Sequence, residues 1–226
     1  MWAACGLAAA CGPTQPKGSP ENPGPEACVG ASEFRCVVYA SGTVGGDAAL
    51  ARGMRYQLQG TGRATSDAGD LAYCHGGYYC AVAIIAPDNS GAPRLLAHVE
   101  SREASWYQPP RVIRSRAGPL VIAESNALGT GFFNDDIVLR FEGERLRRID
   151  VQSWKSEAAA LTPGANTHFD WTTDYSQLVG SISLMSGAPD EWVRAPQGGC
   201  ARAFLFLEGD ALKLAAPPTR LRKERC

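Results

Sequence analysis

The sharpest hydrophobic pattern in the chain lies within residues 131–154, GFFNDDIVLRFEGERLRRIDVQSW. Ile137, Leu139 and Phe141 alternate with Val138 and Arg140, the period of two that a strand with one buried face produces. Glu142-Gly143 then supplies a tight turn, because glycine takes positive φ at little steric cost. On the return strand Leu146 falls on one parity and Ile149 and Val151 on the other. For a strand with a single buried face, that slip predicts a bulge at Arg147-Arg148, since one extra residue exchanges the faces. The stretch predicts a hairpin and carries no catalytic signature.

Similar patterns recur on either side. Residues 34–40 (FRCVVYA) are β-branched and aromatic enough for a first strand. Leu50, Met54 and Leu58 recur four apart, which predicts a short amphipathic helix over 47–58, weakened by Gly53. Residues 60–70 form a polar loop, and 80–86 (CAVAIIA) a buried strand stopped by Pro87. Residues 94–100 return from the turn Asp88-Asn89-Ser90-Gly91 as a second hairpin. Short strands over 112–115 and 120–123 flank Ala117-Gly118-Pro119. Residues 153–161 (SWKSEAAAL) are the clearest helix, with Ser153 as N-cap and Pro163-Gly164 as its stop. Strands over 169–172 and 178–185 follow, then a last hairpin, 203–207 and 211–215, around Glu208-Gly209. Its turn echoes the one at Glu142-Gly143, and the fitness of Glu-Gly for two-residue turns explains the echo more simply than a duplication. The expected class is mainly β, an antiparallel sandwich or partly open barrel with one or two short helices, as a single domain over 28–226.

Composition adds a setting. A formal net charge of −1 leaves no electrostatic footprint for nucleic acid or an anionic membrane surface. Twenty-five glycines and fifteen prolines suit a chain of frequent turns. Eight cysteines point to disulfides formed outside the cytosol.

Residues 1–10 are small and apolar, and Cys11 is followed at once by a polar stretch. Leu7-Ala8-Ala9-Ala10-Cys11-Gly12 resembles the lipobox of bacterial lipoproteins. The resemblance implies that residues 1–10 are the remnant of a signal peptide and that Cys11 carries a diacylglycerol thioether and acyl chains such as palmitate. It further implies a protein of the cell envelope, on the outer membrane and facing the periplasm or the surface. Ala8 stands where that family has leucine; no Lys or Arg precedes the apolar run and ten residues is short for a signal peptide, two departures that a start site further upstream would explain. The other reading is a short apolar tail holding two cysteines, far too short to span a bilayer. Residues 12–27 hold five prolines and three glycines. With Cys11 they predict a lipidated, disordered linker over 11–27, because so few apolar groups cannot offset the entropy of ordering.

Candidate chemistry comes last. Beyond Cys11, the cysteines are Cys28, Cys36, Cys74, Cys80, Cys200 and Cys226. Local closure suggests the disulfides Cys28–Cys36, Cys74–Cys80 and Cys200–Cys226, one of about fifteen pairings that six thiols permit. Cys74-His75 and Cys80 also invite a zinc reading, but adjacent ligands rarely reach one ion, and no metal is expected. Gly198-Gly199-Cys200-Ala201-Arg202 resembles the end of the L,D-transpeptidase signature. That resemblance implies a nucleophilic Cys200 supported by Arg202 in a cysteine-dependent cell-wall transferase. Gln197-Gly198 replace the Ser/Thr-His pair, so the base is missing. Asn134, Asp135 and Asp136 are better suited to bonding their own backbone before the hairpin than to holding calcium. Aromatics in turn-rich stretches, Tyr78, Tyr79, Trp106 and Tyr107, are candidates for binding a ligand, the other reading being that they cap the ends of the core. The expected function is a binding or structural module without cofactor. Its partners would be a membrane, reached through the lipid, and an envelope protein or glycan.

Overall fold

Val138 and Leu139 are neighbours on one strand, and both are fully buried. Strand side chains alternate, so this pairing requires a sheet covered on both faces. The computed structural model describes residues 27–31, 36–60, 80–101, 106–126, 135–161, 168–186, 193–194, 200–217 and 219–221. Along the chain come β1 (Val37–Thr43), β2 (Gly45–Gly46), β3 (Arg55–Gly60), β4 (Cys80–Pro87), β5 (Pro93–Ser101) and the short β6 (Trp106–Tyr107). Then β7 (Arg111–Ser115), β8 (Gly118–Ala123), β9 (Ser125–Asn126), β10 (Ile137–Glu142) and β11 (Arg145–Ile149) lead into helix α1 (Ser153–Leu161). The chain continues as β12 (His168–Asp174), β13 (Val179–Ser186), β14 (Val193–Arg194), β15 (Cys200–Glu208), β16 (Ala211–Leu214) and β17 (Thr219–Leu221).

Three sheets result, with neighbouring strands antiparallel except at β2–β7, and β6 and β9 pair as a separate ribbon. The first sheet is the meander β1-β3-β4-β5, and the second runs β11-β10-β8-β7-β2. The third runs β12-β13-β15-β16, with β14 beside β13 and β17 beside β15. The fold is mainly β with one short helix, and among the described residues no sheet closes into a barrel.

The second sheet is the middle layer. Its Val112, Val121, Ile137, Leu139 and Leu146 pack with Tyr56, Leu58, Val82 and Ile84 of the first sheet. Its residues of the other parity, Leu120, Ile122, Val138 and Ile149, pack with Trp154 of α1 and with Ile182, Ala203, Leu205 and Leu212 of the third sheet. This corrects the expected bulge. β10 and β11 pair without a shift, Phe141 opposite Leu146 and Val138 opposite Ile149. Leu146 and Ile149 differ in parity because each fills a different core.

The expected helix over 47–58 is also corrected. Asp47 Oδ1 accepts the amides of Ala49 and Leu50, and Ala51 N–H bonds Asp47 O at 2.9 Å, a single turn that Gly53 closes at φ 74°. A spacing of four fits a period of two as well as one of 3.6, and Met54, Tyr56 and Leu58 take the former. Helix α1 forms over the expected residues, but its cap differs. Asp150 Oδ1 accepts the amides of Gln152 and Ser153, and the Ser153 hydroxyl donates to Asp150 Oδ2 at 2.5 Å. The helix is seated by Trp154, which lies so close to Gly180 that a Cβ there would stand 2.5 Å from the indole. The last Glu-Gly turn also docks on the strands of the central hairpin. Asp210 accepts ion pairs from Arg140 at 2.8 Å and from Arg147, and its backbone oxygen accepts Asp150 N–H at 2.6 Å.

The start of the described chain is tied down by side-chain amides. Gln57 bonds Ala27 O and Val29 N–H, and Gln59 Nε2 donates to Val29 O at 3.0 Å, so two buried glutamines act as a strand partner. His98 Nε2 lies 3.0 Å from Gln59 Oε1, an acceptor, so this nitrogen carries the proton in the neutral ring. Glu100 Oε1 is 3.8 Å from His98 Nδ1.

Two predictions follow from these layers and ties. Leu139→Ala and Ile122→Ala, facing opposite cores, should each cost about 2–5 kcal/mol in urea unfolding, whereas a sheet with one wet face would tolerate one of them. Burial pushes the His98 pKa down, with Glu100 opposing. The unfolded chain therefore binds the proton more readily, so stability is complete above about pH 6.5 and falls as pH drops below it. His98→Gln should flatten that slope.

Candidate functional site

Asp135 and Asp136 stand at the head of β10, and both are buried. Alternation sends them apart, Asp135 with the parity of Ile137 and Asp136 with that of Val138. On the side of the first sheet, Asp135 Oδ2 accepts the Ser101 hydroxyl and a longer bond from Tyr107 Oη at 3.5 Å, and Arg148 Nη2 is 3.4 Å from Oδ1. On the other side, Asp136 Oδ2 accepts the Tyr175 hydroxyl at 2.7 Å. Its Oδ1 accepts the backbone N–H of Ser125 at 2.8 Å and the Ser125 hydroxyl at 3.1 Å. Lys155, buried on α1, has its pKa pushed down by burial while Asp136 and Asp135 pull it back. Each core thus ends on a tyrosine bonded to a carboxylate.

Among the described residues, the aspartates bond partners distant in sequence rather than their own backbone. They join segments from 11 to 39 residues away, since a carboxyl at the entry to a buried strand has no water to turn to. Burial and then the nearby aspartates push both phenols up, Tyr175 well above its ordinary value. Tyr39, partly buried beside Tyr107, is pushed up by that burial to about 12.

Beside Asp136 the surface opens into a cleft of about 410 Å³. Gln108, Pro109 and Arg111 line it where the chain enters β7, Glu124 and Ser125 where β8 passes into β9, and Thr172 and Thr173 from β12. Arg111 Nη2 pairs with Glu124 Oε1 at 2.6 Å, and Gln108 N–H donates to Glu124 O at 2.8 Å. The cleft therefore presents fixed carboxylates, a guanidinium, an amide and hydroxyls in one polar mouth. It suits hydrogen-bonded recognition. Among the described residues no cluster of His, Cys, Asp and Glu could hold a metal ion.

The residues singled out from sequence fall elsewhere. Cys28 and Cys36 form a disulfide with Cα atoms 6.1 Å apart. Cys80, fully buried, is also disulfide-bonded. Cys200 opens β15, its backbone paired with Ser183 and Leu221. Cys11, Cys74, Cys226, Tyr78 and Tyr79 lie outside the described residues. Trp106 pairs with Asn126 in the ribbon. Tyr107 requires a correction: it is 2% exposed, and its hydroxyl donates to Asp135 O at 3.2 Å, so it is a core residue and no surface aromatic. Among the described residues, the large aromatics that are well exposed, Phe204 and Phe206, lie on the outer side of β15, where Phe204 stands opposite Val179. Ser101, Tyr175, Arg111 and Thr172 were missed because each is ordinary in its own stretch and gains meaning only through partners distant in sequence.

The chain matches no protein-family model, no curated protein and no solved structure.

Tyr175→Phe should cost about 1–3 kcal/mol in denaturant unfolding, because it leaves Asp136 Oδ2 without its bond. In alkaline difference spectroscopy Tyr107 and Tyr175 should stay protonated past pH 10 for as long as the fold holds. An unfolded tyrosine ionises near pH 10, so these residues stabilise fully below that value and their contribution is lost as pH rises above it.

Proposed function

We propose that this is a lipid-anchored protein of the bacterial cell envelope, held through Cys11, whose β domain serves as a binding or structural module. The Cys28–Cys36 disulfide carries the reading, and the bonded state of Cys80 adds to it. Disulfides persist in oxidising compartments and are rare in the cytosol. The first of them closes a loop directly after the Pro/Gly stretch over 12–27, at the point where a tether would join the domain. Gln57 and Gln59 bond that loop to β3, so a pull along the tether would meet cross-linked and hydrogen-bonded chain. Among the described residues no helix is long and apolar enough to cross a membrane, and lipid on Cys11 would supply the attachment instead. The polar cleft beside Asp136 is the surface site we assign to binding.

Intact-mass spectrometry without reduction, on protein made in a Gram-negative host from an extended upstream start, tests the reading. It should show a chain beginning at acylated Cys11 and lighter by two hydrogens for each disulfide. An unmodified N-terminus with free thiols at Cys28 and Cys36 would overturn it.

A further inference from the structure

We propose that the cleft beside Asp136 binds an uncharged, polyhydroxylated ligand, a saccharide, through Gln108, Arg111, Glu124 and Thr172. This rests on the binding-module reading above and gives its site a ligand class.

Three observations select that class. Among the described residues that line the cleft, Pro109 is the one apolar residue, whereas pockets for lipids and other apolar molecules are lined mainly by hydrophobic side chains. The charges are already answered. Arg111 and Glu124 hold each other at 2.6 Å, and Asp136 receives three hydrogen bonds from Tyr175 and Ser125, with the Lys155 charge behind it. Because Arg111 and Glu124 neutralise each other, an ionic ligand meets little net charge among the described residues of the lining.

A sugar hydroxyl both donates and accepts, so its best partners are fixed acceptors standing beside fixed donors. The cleft offers that alternation. Glu124 accepts, the remaining N–H groups of Arg111 and the side-chain amide of Gln108 donate, and the hydroxyl of Thr172 does either. These groups are positioned before any ligand arrives. Glu124 is held by Arg111, and the Gln108 and Glu124 backbones are bonded to each other at 2.8 Å. Ordering costs on binding are correspondingly low.

The third observation concerns the occupant that competes. β12 ends the third sheet, and within the described residues its backbone pairs on one side only, so an extended peptide could in principle add there. Strand addition gains its specificity from slots for alternate side chains. Here adjacent residues, Thr172 and Thr173, both line the cleft, and the rest of its described lining is polar apart from Pro109, which gives a peptide backbone a place but its side chains few apolar slots.

The test is a titration of the full-length protein, followed by saturation-transfer NMR and by backbone amide shifts. The probes are maltotriose, cellotriose and N-acetylated chitotriose, set against spermidine, inorganic phosphate and a seven-residue Thr/Val peptide. At least one neutral trisaccharide should bind saturably and shift the amides of Gln108, Ser125 and Thr172. The double variant Gln108→Leu, Thr172→Val should weaken that binding about tenfold or more, with the urea midpoint unchanged. Arg111→Gln, which leaves the backbone contacts in place, should weaken it likewise. The proposal is overturned if none of the three sugars binds, if the ions or the peptide bind in their place, or if sugar binding survives the variants. A chain that binds sugar but carries no acyl group in the mass measurement would overturn the anchor alone, and the reverse result would overturn the cleft alone.

Discussion

Covering a sheet on both faces leaves its strands no solvent side, and every other feature of this molecule answers to that constraint. Val121 and Ile122 on β8, and Val138 and Leu139 on β10, give consecutive apolar residues to opposite cores. Two further layers must then be held against the middle one. On one side this is done by the meander of the first sheet. On the other it is done by α1 and the third sheet, where Trp154 fits over Gly180 and Asp210 receives Arg140 and Arg147 from the central hairpin. The burial of whole side chains, about 1.5–3 kcal/mol each, outweighs these surface ion pairs, which contribute less than about 1 kcal/mol apiece. The ion pairs choose which turn docks where. The packing supplies the stability.

A doubly buried strand still has to begin somewhere, and here it begins on two carboxyl groups. Leaving either without partners would cost several kcal/mol, so each is placed where hydroxyls from other segments converge. Ser101 and Tyr107 serve Asp135, and Ser125 and Tyr175 serve Asp136. These bonds tie the middle layer to both outer ones at one end of the sheets. They also hold Asp136 and Ser125 still at the edge of the cleft, so the groups that keep the fold in register fix part of its lining.

Much of this was legible in the sequence. The hairpin of β10 and β11, the buried run of β4, helix α1 and the mainly β class follow from local periodicity and turn chemistry, and the Cys28–Cys36 pairing follows from local closure. What failed, failed for a physical reason. Leu146 and Ile149 looked out of phase because a period of two cannot say whether the second face meets water or another layer. Leu50, Met54 and Leu58 looked helical because a spacing of four satisfies both periods, and Asp47 and Gly53 decided in favour of a turn. Tyr107 looked like a surface aromatic beside two prolines, yet Asp135 gives its hydroxyl a partner and so allows its burial. The cleft was invisible because its lining comes from four separate stretches, none unusual alone.

The most direct test of the double-sided core is native-state hydrogen exchange, read amide by amide across β8 and β10. If both faces are sealed, the amides of Val121, Ile122, Val138 and Leu139 should exchange only through global unfolding, with one shared free energy that tracks the denaturant value. Exchange of these amides at a clearly lower free energy, through loss of the third sheet and α1 while the first sheet stays protected, would mean that the middle layer stands without its second cover, and would contradict the account.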